Sequence, residues 1–231
     1  MLKIFWHVGG DSVFGRKTQD SDTVVRLIAS QLRRDISVGV LAPDTKLKID
    51  ELRQRYGGSA HSFREALTLL ASEGIVEASA QRGFRVASAT QSDLEDISRL
   101  RAEIESLGLG WSIKHGDLRW EGEVLAAFHT YSKLCMQTDA DRQAFAIEWD
   151  EAGRHFHTTL VAACRSPRLI GFQDRLFTQS RRFRYAALVE GSIDLAAETR
   201  GLGEVVEATL SRDADRACEL LSNQILGALT R

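Results

Sequence analysis

The chain has 231 residues, of which 43% are hydrophobic and 27% charged, and its mean hydropathy is -0.20. This composition excludes a disordered chain, and no apolar run reaches the roughly 18 residues that a transmembrane helix needs. Residues 1–88 carry 13 Lys and Arg against 10 Asp and Glu, whereas residues 89–231 carry 17 against 22. A mildly basic first part joined to an acidic second part is compatible with nucleic-acid binding by the first part.

Residue usage narrows the protein class further. The start, MLKIFWHVGGDSVFGR, lacks the apolar stretch and cleavage site of a signal peptide, which predicts a cytoplasmic protein without membrane attachment. Cys135, Cys164 and Cys218 form no CxxC pair, so neither a disulfide framework nor a cysteine zinc site is expected. The chain has only 2 prolines, which favours long helices over an all-β fold.

The first part divides into an extension and three helices. Residues 1–20 show no sustained period and are interpreted as an N-terminal extension. Apolar residues at helical spacing predict a first helix from Ser21 to near Gly39, and a second helix runs from Ile49 to Tyr56. Ser59 is an N-cap residue that starts a third helix, which Gly74 ends. The buried positions of the third helix are predicted to be Phe63, Ala66, Leu67 and Leu70.

Extended segments follow, and then helices to the end of the chain. The segments IVEAS and FRVAS, joined by AQRG, predict a two-stranded hairpin, so residues 21–88 have the element order of a winged helix-turn-helix. Residues 89–231 are helical in period, with segments at about 92–114, 117–137, 141–164, 167–189, 192–211 and 213–230. The predicted fold class is mainly α: an N-terminal winged helix-turn-helix followed by an antiparallel all-α helical bundle.

The third helix carries the main candidates for DNA contact. In a tight-turn helix pair the second helix enters the major groove with its N-terminal side chains on the bases. Those side chains here are Ser59, His61, Ser62 and Arg64. Arg64 lies about 100° around the helix from buried Phe63, so it faces outward toward a phosphate or a guanine edge.

Arg53 and the hairpin tip complete the predicted DNA-binding set. Arg53 faces out of the second helix, while Arg82 and Gly83 are placed to follow the DNA backbone or minor groove. The alternative is that Arg64 is a solvated partner of Glu65 or Thr68 and that the hairpin contacts protein, because winged helices also serve as protein-interaction modules.

The run from Ser30 to Val86 resembles the N-terminal domain of GntR-family bacterial transcription regulators almost throughout. The matching pieces are Gly39 to Leu47, Glu51-Leu52, Ser59, Arg64 to Leu67, Leu70, Glu73-Gly74 and Gln81 to Val86. Two positions depart from the family pattern, namely Gly58 in the turn and the segment Ala60-His61-Ser62 before Arg64. The resemblance implies a DNA-binding domain, and the departures leave the bases it reads open.

The helical part is similar to the FCD effector domain of the FadR-type subfamily. The similarity lies in Leu100 to Glu105, Phe156 to Leu160, Ser166 to Leu169 and Val205 to Ala217. Many such domains hold a divalent metal with an Asp and three His. Of those positions only His157 matches, because the others fall on Gly153, Leu202 and Gln224. The expectation is therefore no cofactor and no bound metal.

Four polar residues near apolar stripes are the candidate effector contacts: Arg101, His157, Arg184 and Gln224. Arg101 needs a buried anion, which either Glu105 one turn on or a carboxylate effector supplies. His157 is either a hydrogen-bonded core residue or a ligand contact. The alternative for Arg184 is that it forms a solvated or interface face with Arg181 and Arg182.

These features predict a ligand-responsive DNA-binding regulator and no enzyme, since no catalytic motif is present. The expected partners are an inverted-repeat operator of double-stranded DNA, a small carboxylate effector and a second copy of the chain. Repression released by the effector is the expected mode. A winged-helix protein-interaction module and an enzyme of unknown reaction remain the alternatives.

Overall fold

The computed structural model describes residues 17–79, 81–136 and 142–227. Within them the first part contains three helices and three short strands. These are α1 (Lys17–Ser37), β1 (Lys46–Leu47), α2 (Ile49–Tyr56), α3 (Ala60–Glu73), β2 (Val76–Ser79) and β3 (Gly83–Val86). Helix α1 begins at Lys17, four residues before the predicted start at Ser21. The segment KTQD carries no apolar period, so the spacing of apolar residues does not predict this first turn. The first 16 residues of the predicted extension lie outside the described chain.

Helix α3 has the predicted caps and the predicted buried face. The Ser59 side chain accepts a hydrogen bond from the Ser62 amide at 3.0 Å, and Gly74 ends the helix in the left-handed conformation with φ of 80°. Both devices satisfy backbone groups that a helix end otherwise leaves unpaired. The core side chains of α3 are fully buried against α1 and the strands: Phe63, Ala66, Leu67 and Leu70.

The hairpin forms as predicted, with one strand more than the sequence suggested. Strands β2 and β3 pair antiparallel from Val76 opposite Val86 to Ser79 opposite Gly83. Strand β1 pairs along the other edge of β3, which gives the order β1-β3-β2. A strand of two residues is too short to produce an alternating pattern, so the sequence does not reveal β1.

The second part consists of helices throughout the described residues. They are α4 (Gln91–His115), α5 (Leu118–Cys135), α6 (Arg142–Val161), α7 (Pro167–Glu190), α8 (Leu195–Leu210) and α9 (Ala214–Gly227). Each corresponds to a predicted segment, although α6 ends at Val161, short of the predicted 164. The chain turns there through Arg165 with φ of 60°, and Ser166 caps α7 with Pro167 in its first turn.

The helices surround one main apolar core, and a smaller apolar cluster lies at Val161, Cys164 and Leu169. Helix α4 packs against α6, α7 and α9, and α5 packs against α6 and α8. Large aromatic residues fill the centre, with Trp149, Phe156 and Phe177 almost fully buried. Among the described helices, none is long and apolar enough to cross a membrane.

Helix α7 joins the two parts of the molecule. The Gln179 amide donates to the Glu73 carbonyl at the end of α3 at 2.8 Å, and the Glu73 carboxylate pairs with Arg33 of α1 at 2.6 Å. Three residues further along α7, Arg182 donates to the Ala87 carbonyl at 3.4 Å. The helix that carries Arg184 therefore also touches the C-terminal end of α3.

Candidate DNA-reading surface and effector cavity

The N-terminal end of α3 is ordered by contacts among its own side chains. Ser59 and Ser62 share a hydrogen bond between their hydroxyls at 2.9 Å, in addition to the cap. His61 is exposed and lies 3.1 Å from Glu65, one turn along the helix. The free amides and the dipole at this end favour an approaching phosphate. The hydroxyls of Ser59 and Ser62 are therefore already engaged in hydrogen bonds that form the N-terminal end of α3.

Arg64 is exposed, and within the described residues its guanidinium has no hydrogen-bond or ion-pair partner. The Arg64 carbonyl accepts the Thr68 hydroxyl at 2.8 Å, while Glu65 is paired with His61. The alternative interpretation paired the Arg64 side chain with Glu65 or Thr68, but neither residue contacts its guanidinium. The guanidinium is therefore available to an external anion.

Arg53, Arg82 and Gly83 are also exposed. Arg53 lies 3.6 Å from Asp50 and donates to the Gly58 carbonyl in the turn before α3 at 3.5 Å. Gly58, one of the two departures from the family pattern, has φ of 92°, a left-handed conformation that favours glycine. Gly83 has φ of 75° where the hairpin turn enters β3, and residue 80 of that turn lies outside the described chain.

The helical part encloses a cavity of about 130 Å³. All four predicted effector residues line it: Arg101, His157, Arg184 and Gln224. They come from α4, α6, α7 and α9, so the packing of the bundle brings together side chains more than 100 positions apart. Apolar lining is supplied by Leu94, Phe183, Ile193, Leu202 and Ile225. A mostly apolar cavity with a few convergent polar groups is the usual form of a small-molecule site.

Arg101, Glu105 and His157 form a buried cluster at one wall of the cavity. Arg101 donates to Glu105 at 2.8 Å and to the Ser180 hydroxyl at 3.3 Å, and His157 Nδ1 lies 2.6 Å from the second Glu105 oxygen. Burial raises the pKa of Glu105, but Arg101 and His157 outweigh it and lower that pKa to about 2. Glu105 is thus the buried anion that Arg101 requires, as one of the two sequence alternatives proposed.

Arg184 is held by Asp150 and stands over an aromatic ring. Its guanidinium pairs with Asp150, donates to the Ser180 hydroxyl and lies 3.7 Å from the centre of the Phe177 ring. Arg181 pairs with the same buried Asp150 carboxylate. Arg184 faces the cavity rather than a solvated surface, and Arg182 donates to the Ala87 carbonyl within the same chain.

Asp150 also lines the cavity, although it is not among the effector residues predicted from the sequence. It lies in a buried helical series with Ala146, Trp149 and Gly153, and a carboxylate in such a series indicates a buried cation. That signal was readable from the sequence. Its partners were not, because they come from α7.

The residues present do not fit a metal centre of the type that the FCD resemblance implies. A side chain at Gly153 would meet the Tyr131 ring at 3.2 Å, and Gln224 uses its amide on the Glu198 carbonyl at 3.1 Å. His157 is engaged by Glu105, and Leu202 has no ligating atom. In the described part of the chain no three His, Cys, Asp or Glu side chains come together as metal ligands.

Two family models match the chain. "Bacterial regulatory proteins, gntR family" matches residues 25–86, and "FCD domain" matches residues 96–226. The chain belongs to the GntR family, in its FCD-containing branch. The family resemblance noted in the sequence and the predicted fold class are confirmed.

Relatives and solved structures agree with this assignment. This GntR regulator is 32% identical to the HTH-type transcriptional regulator BphR of Paraburkholderia xenovorans, over 96% of this chain and 92% of that protein. It is 35% identical to the HTH-type transcriptional repressor GlaR of Escherichia coli, over 84% and 89%. The E. coli McbR/YncC structure shares its fold, with a TM-score of 0.71 and 17% identity over 90% of this chain and 95% of that one. The regulator is thus a transcription factor, in agreement with the prediction that it is no enzyme.

Proposed function

We propose that this regulator is a repressor that binds an inverted-repeat operator as a homodimer and is released by a small carboxylate held in the cavity. Repression is the mode named for one relative of 35% identity, GlaR. The proposed DNA contacts are those of α2, α3 and the hairpin: Arg53, Ser59, His61, Ser62, Arg64, Arg82 and Gly83. The proposed effector contacts are Arg101, His157, Arg184 and Gln224.

The observation that carries the proposal is the charge around the cavity. Two guanidinium groups that line the cavity, Arg101 and Arg184, lie against the buried carboxylates Glu105 and Asp150, and Arg181 bridges Asp150 to the more exposed Glu151. Burial lowers the pKa of Arg184, Asp150 opposes that effect, and the nearby Arg101 lowers it further. An added carboxylate offsets this repulsion and accepts charge-assisted hydrogen bonds, so the wall of the cavity favours an anion.

Helix α7 supports a route from the cavity to the DNA-binding part. Arg184 faces the cavity, while Gln179 and Arg182 of the same helix contact the end of α3 and the residue after β3. A ligand that shifts Arg184 relative to Asp150 changes the position of α7 against α3. The ligand changes DNA affinity only to the extent that it binds more tightly to one position of α7 against α3 than to the other.

An exposed apolar stripe on α4 supports the homodimer. Leu100, Leu107 and Trp111 are 46%, 47% and 40% exposed, and their spacing of seven and four residues places them on one face of the helix. Apolar stripes of this kind on soluble proteins commonly mark protein interfaces. We expect Leu107→Asp to give monomers in light scattering, while Leu118→Asp, on helix α5 and 83% exposed, leaves the dimer intact.

The experiment selects operator sequences from a random duplex pool with the full-length protein and then measures binding to the best duplex by fluorescence anisotropy. Small carboxylates are added to the complex. We expect an inverted-repeat duplex, two chains per duplex, and release by at least one carboxylate. Failure to select any duplex, or a complex that no carboxylate weakens, contradicts the proposal.

An arginine variant tests the cavity directly. Arg184→Gln keeps a hydrogen-bonding side chain but removes the charge, so the duplex is still bound while carboxylates release it less readily. Arg168→Gln changes an exposed arginine near the start of the same helix and serves as the control. Equal release of both variants contradicts a role of Arg184 in binding the carboxylate.

A further inference from the structure

The polar groups of the cavity differ in charge from one side to the other. Arg101 and Arg184 lie on the side of the Phe177 ring, with their guanidinium carbons 4.6 Å and 3.7 Å from its centre. Gly153 separates this side from the next, since a side chain there would stand 3.7 Å from Phe177 and 3.2 Å from Tyr131. Beyond Tyr131 the lining includes a carboxylate, that of Glu198, which the Tyr131 hydroxyl contacts.

The side of the cavity at Glu198 and Gln224, here called the acidic side, offers hydrogen-bond acceptors to a ligand. Glu198 receives the Tyr131 hydroxyl, and among the described residues no Lys, Arg or His nitrogen lies within ion-pair distance of its carboxylate. Gln224 donates its amide to the Glu198 carbonyl at 3.1 Å, and the side chain packs closely over Gly201, where an added Cβ would lie 2.4 Å from the Gln224 amide carbon. This contact fixes the amide nitrogen on the backbone and leaves the amide oxygen as an acceptor.

The Tyr131 hydroxyl is not a substitute for a cation. Burial, and then the neighbouring Glu198, hold the pKa of Tyr131 well above its usual range, so the phenol stays protonated and acts as a donor. A single neutral donor leaves the charge of Glu198 uncompensated in a partly enclosed site. Such a carboxylate gains most from a ligand group that is itself positively charged.

We propose that the effector is an amino carboxylate, with its carboxylate at Arg101 and Arg184 and its ammonium group at Glu198 and the Gln224 amide oxygen. This inference rests on the proposed function, because it names the class of the carboxylate held in the same cavity. A dicarboxylate places its second negative charge against Glu198, and like charges at this range repel. A simple fatty acid leaves both acceptors without a new donor.

The test is calorimetric titration of the full-length protein with matched straight-chain compounds of four, five and six carbons. Each set contains the simple acid, the dicarboxylate and the acid with a terminal amino group. At the best chain length we expect the amino acid to bind about tenfold more tightly, or better, than the other two members, because a charge-assisted hydrogen bond contributes at least that much.

Variants of Glu198 assign the effect to the carboxylate. Glu198→Gln is expected to remove the preference for the amino compound while the simple acid binds as before. Glu198→Asp keeps the charge and retains part of the preference, which guards against a loss caused by altered folding. Glu204→Gln, at an exposed position of the same helix, is the control and keeps the full preference.

The outcomes separate this inference from the proposed function. Dicarboxylates or simple acids that bind as tightly as the amino compounds, or a preference that survives Glu198→Gln, overturn the inference and leave the carboxylate proposal standing. Absence of binding by every compound, together with a complex with DNA that none of them weakens, overturns both.

Discussion

The DNA-binding part and the helical part keep their arginines in opposite states. Arg64 of α3 is exposed, and no described residue engages its guanidinium, whereas Arg101 and Arg184 are largely buried and each is held by a carboxylate. An exposed cation is ready for a polyanion that approaches from solvent. A buried cation that is already paired responds only to a ligand that enters the cavity and rearranges its partners. The contrast is the basis for proposing DNA recognition at the surface of α3 and regulation from the interior of the helical part.

The largest expected effect comes from breaking a pair in the interior. Glu105→Gln leaves Arg101 and His157 without their anion, and removing one partner of a buried ion pair costs about 3 to 5 kcal/mol. We expect the urea midpoint of the helical part, followed by circular dichroism, to fall well below that of the wild type. Glu103→Gln, at an exposed position of the same helix, is the control and leaves the midpoint unchanged.

A compensating change sharpens this prediction. Arg101→Met added to Glu105→Gln removes the unpaired charge as well, so much of the lost stability returns. A double variant as unstable as Glu105→Gln alone is incompatible with an unpaired arginine as the cause.

The contribution of the Arg101, Glu105 and His157 cluster to stability should depend on pH in the wild type. The pKa of Glu105 is lowered from 4.5 to about 2 in the folded state, so the unfolded chain binds the proton more readily. The stabilisation is therefore complete above the unfolded pKa and is lost as the pH falls from about 4.5 toward 2. We expect the stability difference between wild type and Glu105→Gln to shrink over that range in urea titrations. A difference that is constant with pH contradicts the assignment.

On the surface, the expected effect is on binding rather than stability. Arg64→Ala should lower operator affinity by about 1 to 3 kcal/mol if the guanidinium reads a guanine, and it should reduce the salt dependence if the contact is to phosphate. Anisotropy at several salt concentrations separates the two. Arg99→Ala, an exposed arginine on α4, is the control. Unchanged affinity of a folded Arg64→Ala protein contradicts DNA contact by this residue.

The two regions also differ in how far sequence alone could describe them. For α3 the cap at Ser59, the stop at Gly74 and the buried face follow from local patterns, and the structure reproduces them. Arg64 faces outward for the same reason, since its neighbour Phe63 points into the core. Local chemistry decides each of these features, so one stretch of sequence contains the necessary information.

The cavity is harder to predict from sequence, because it depends on contacts between residues that are far apart along the chain. The pairing of Arg101 with Glu105 is readable, because the two residues are one turn apart on α4. The pairing of Arg184 with Asp150, and the place of Glu198 beside Tyr131, depend on how four helices pack. Spacing along the chain does not determine that packing, which is why neither Asp150 nor Glu198 is among the effector residues predicted from the sequence.

The smallest expected effect is at Ser59, which has two possible roles, one in helix stability and one in DNA contact. Its hydroxyl caps α3 through the Ser62 amide, and it also stands among the proposed DNA contacts. Ser59→Ala removes the cap and should lower the free energy of unfolding by about 1 kcal/mol, whereas Ser59→Asp caps equally well. The aspartate, however, places a negative charge where a phosphate is expected. We therefore expect urea unfolding to rank the aspartate variant with the wild type and the alanine variant below it. Anisotropy should rank the aspartate variant lowest in operator affinity, because repulsion of a phosphate outweighs the intact cap. Operator affinities that follow stability instead, with the alanine variant weakest, mean that Ser59 acts only by capping the helix and does not face DNA.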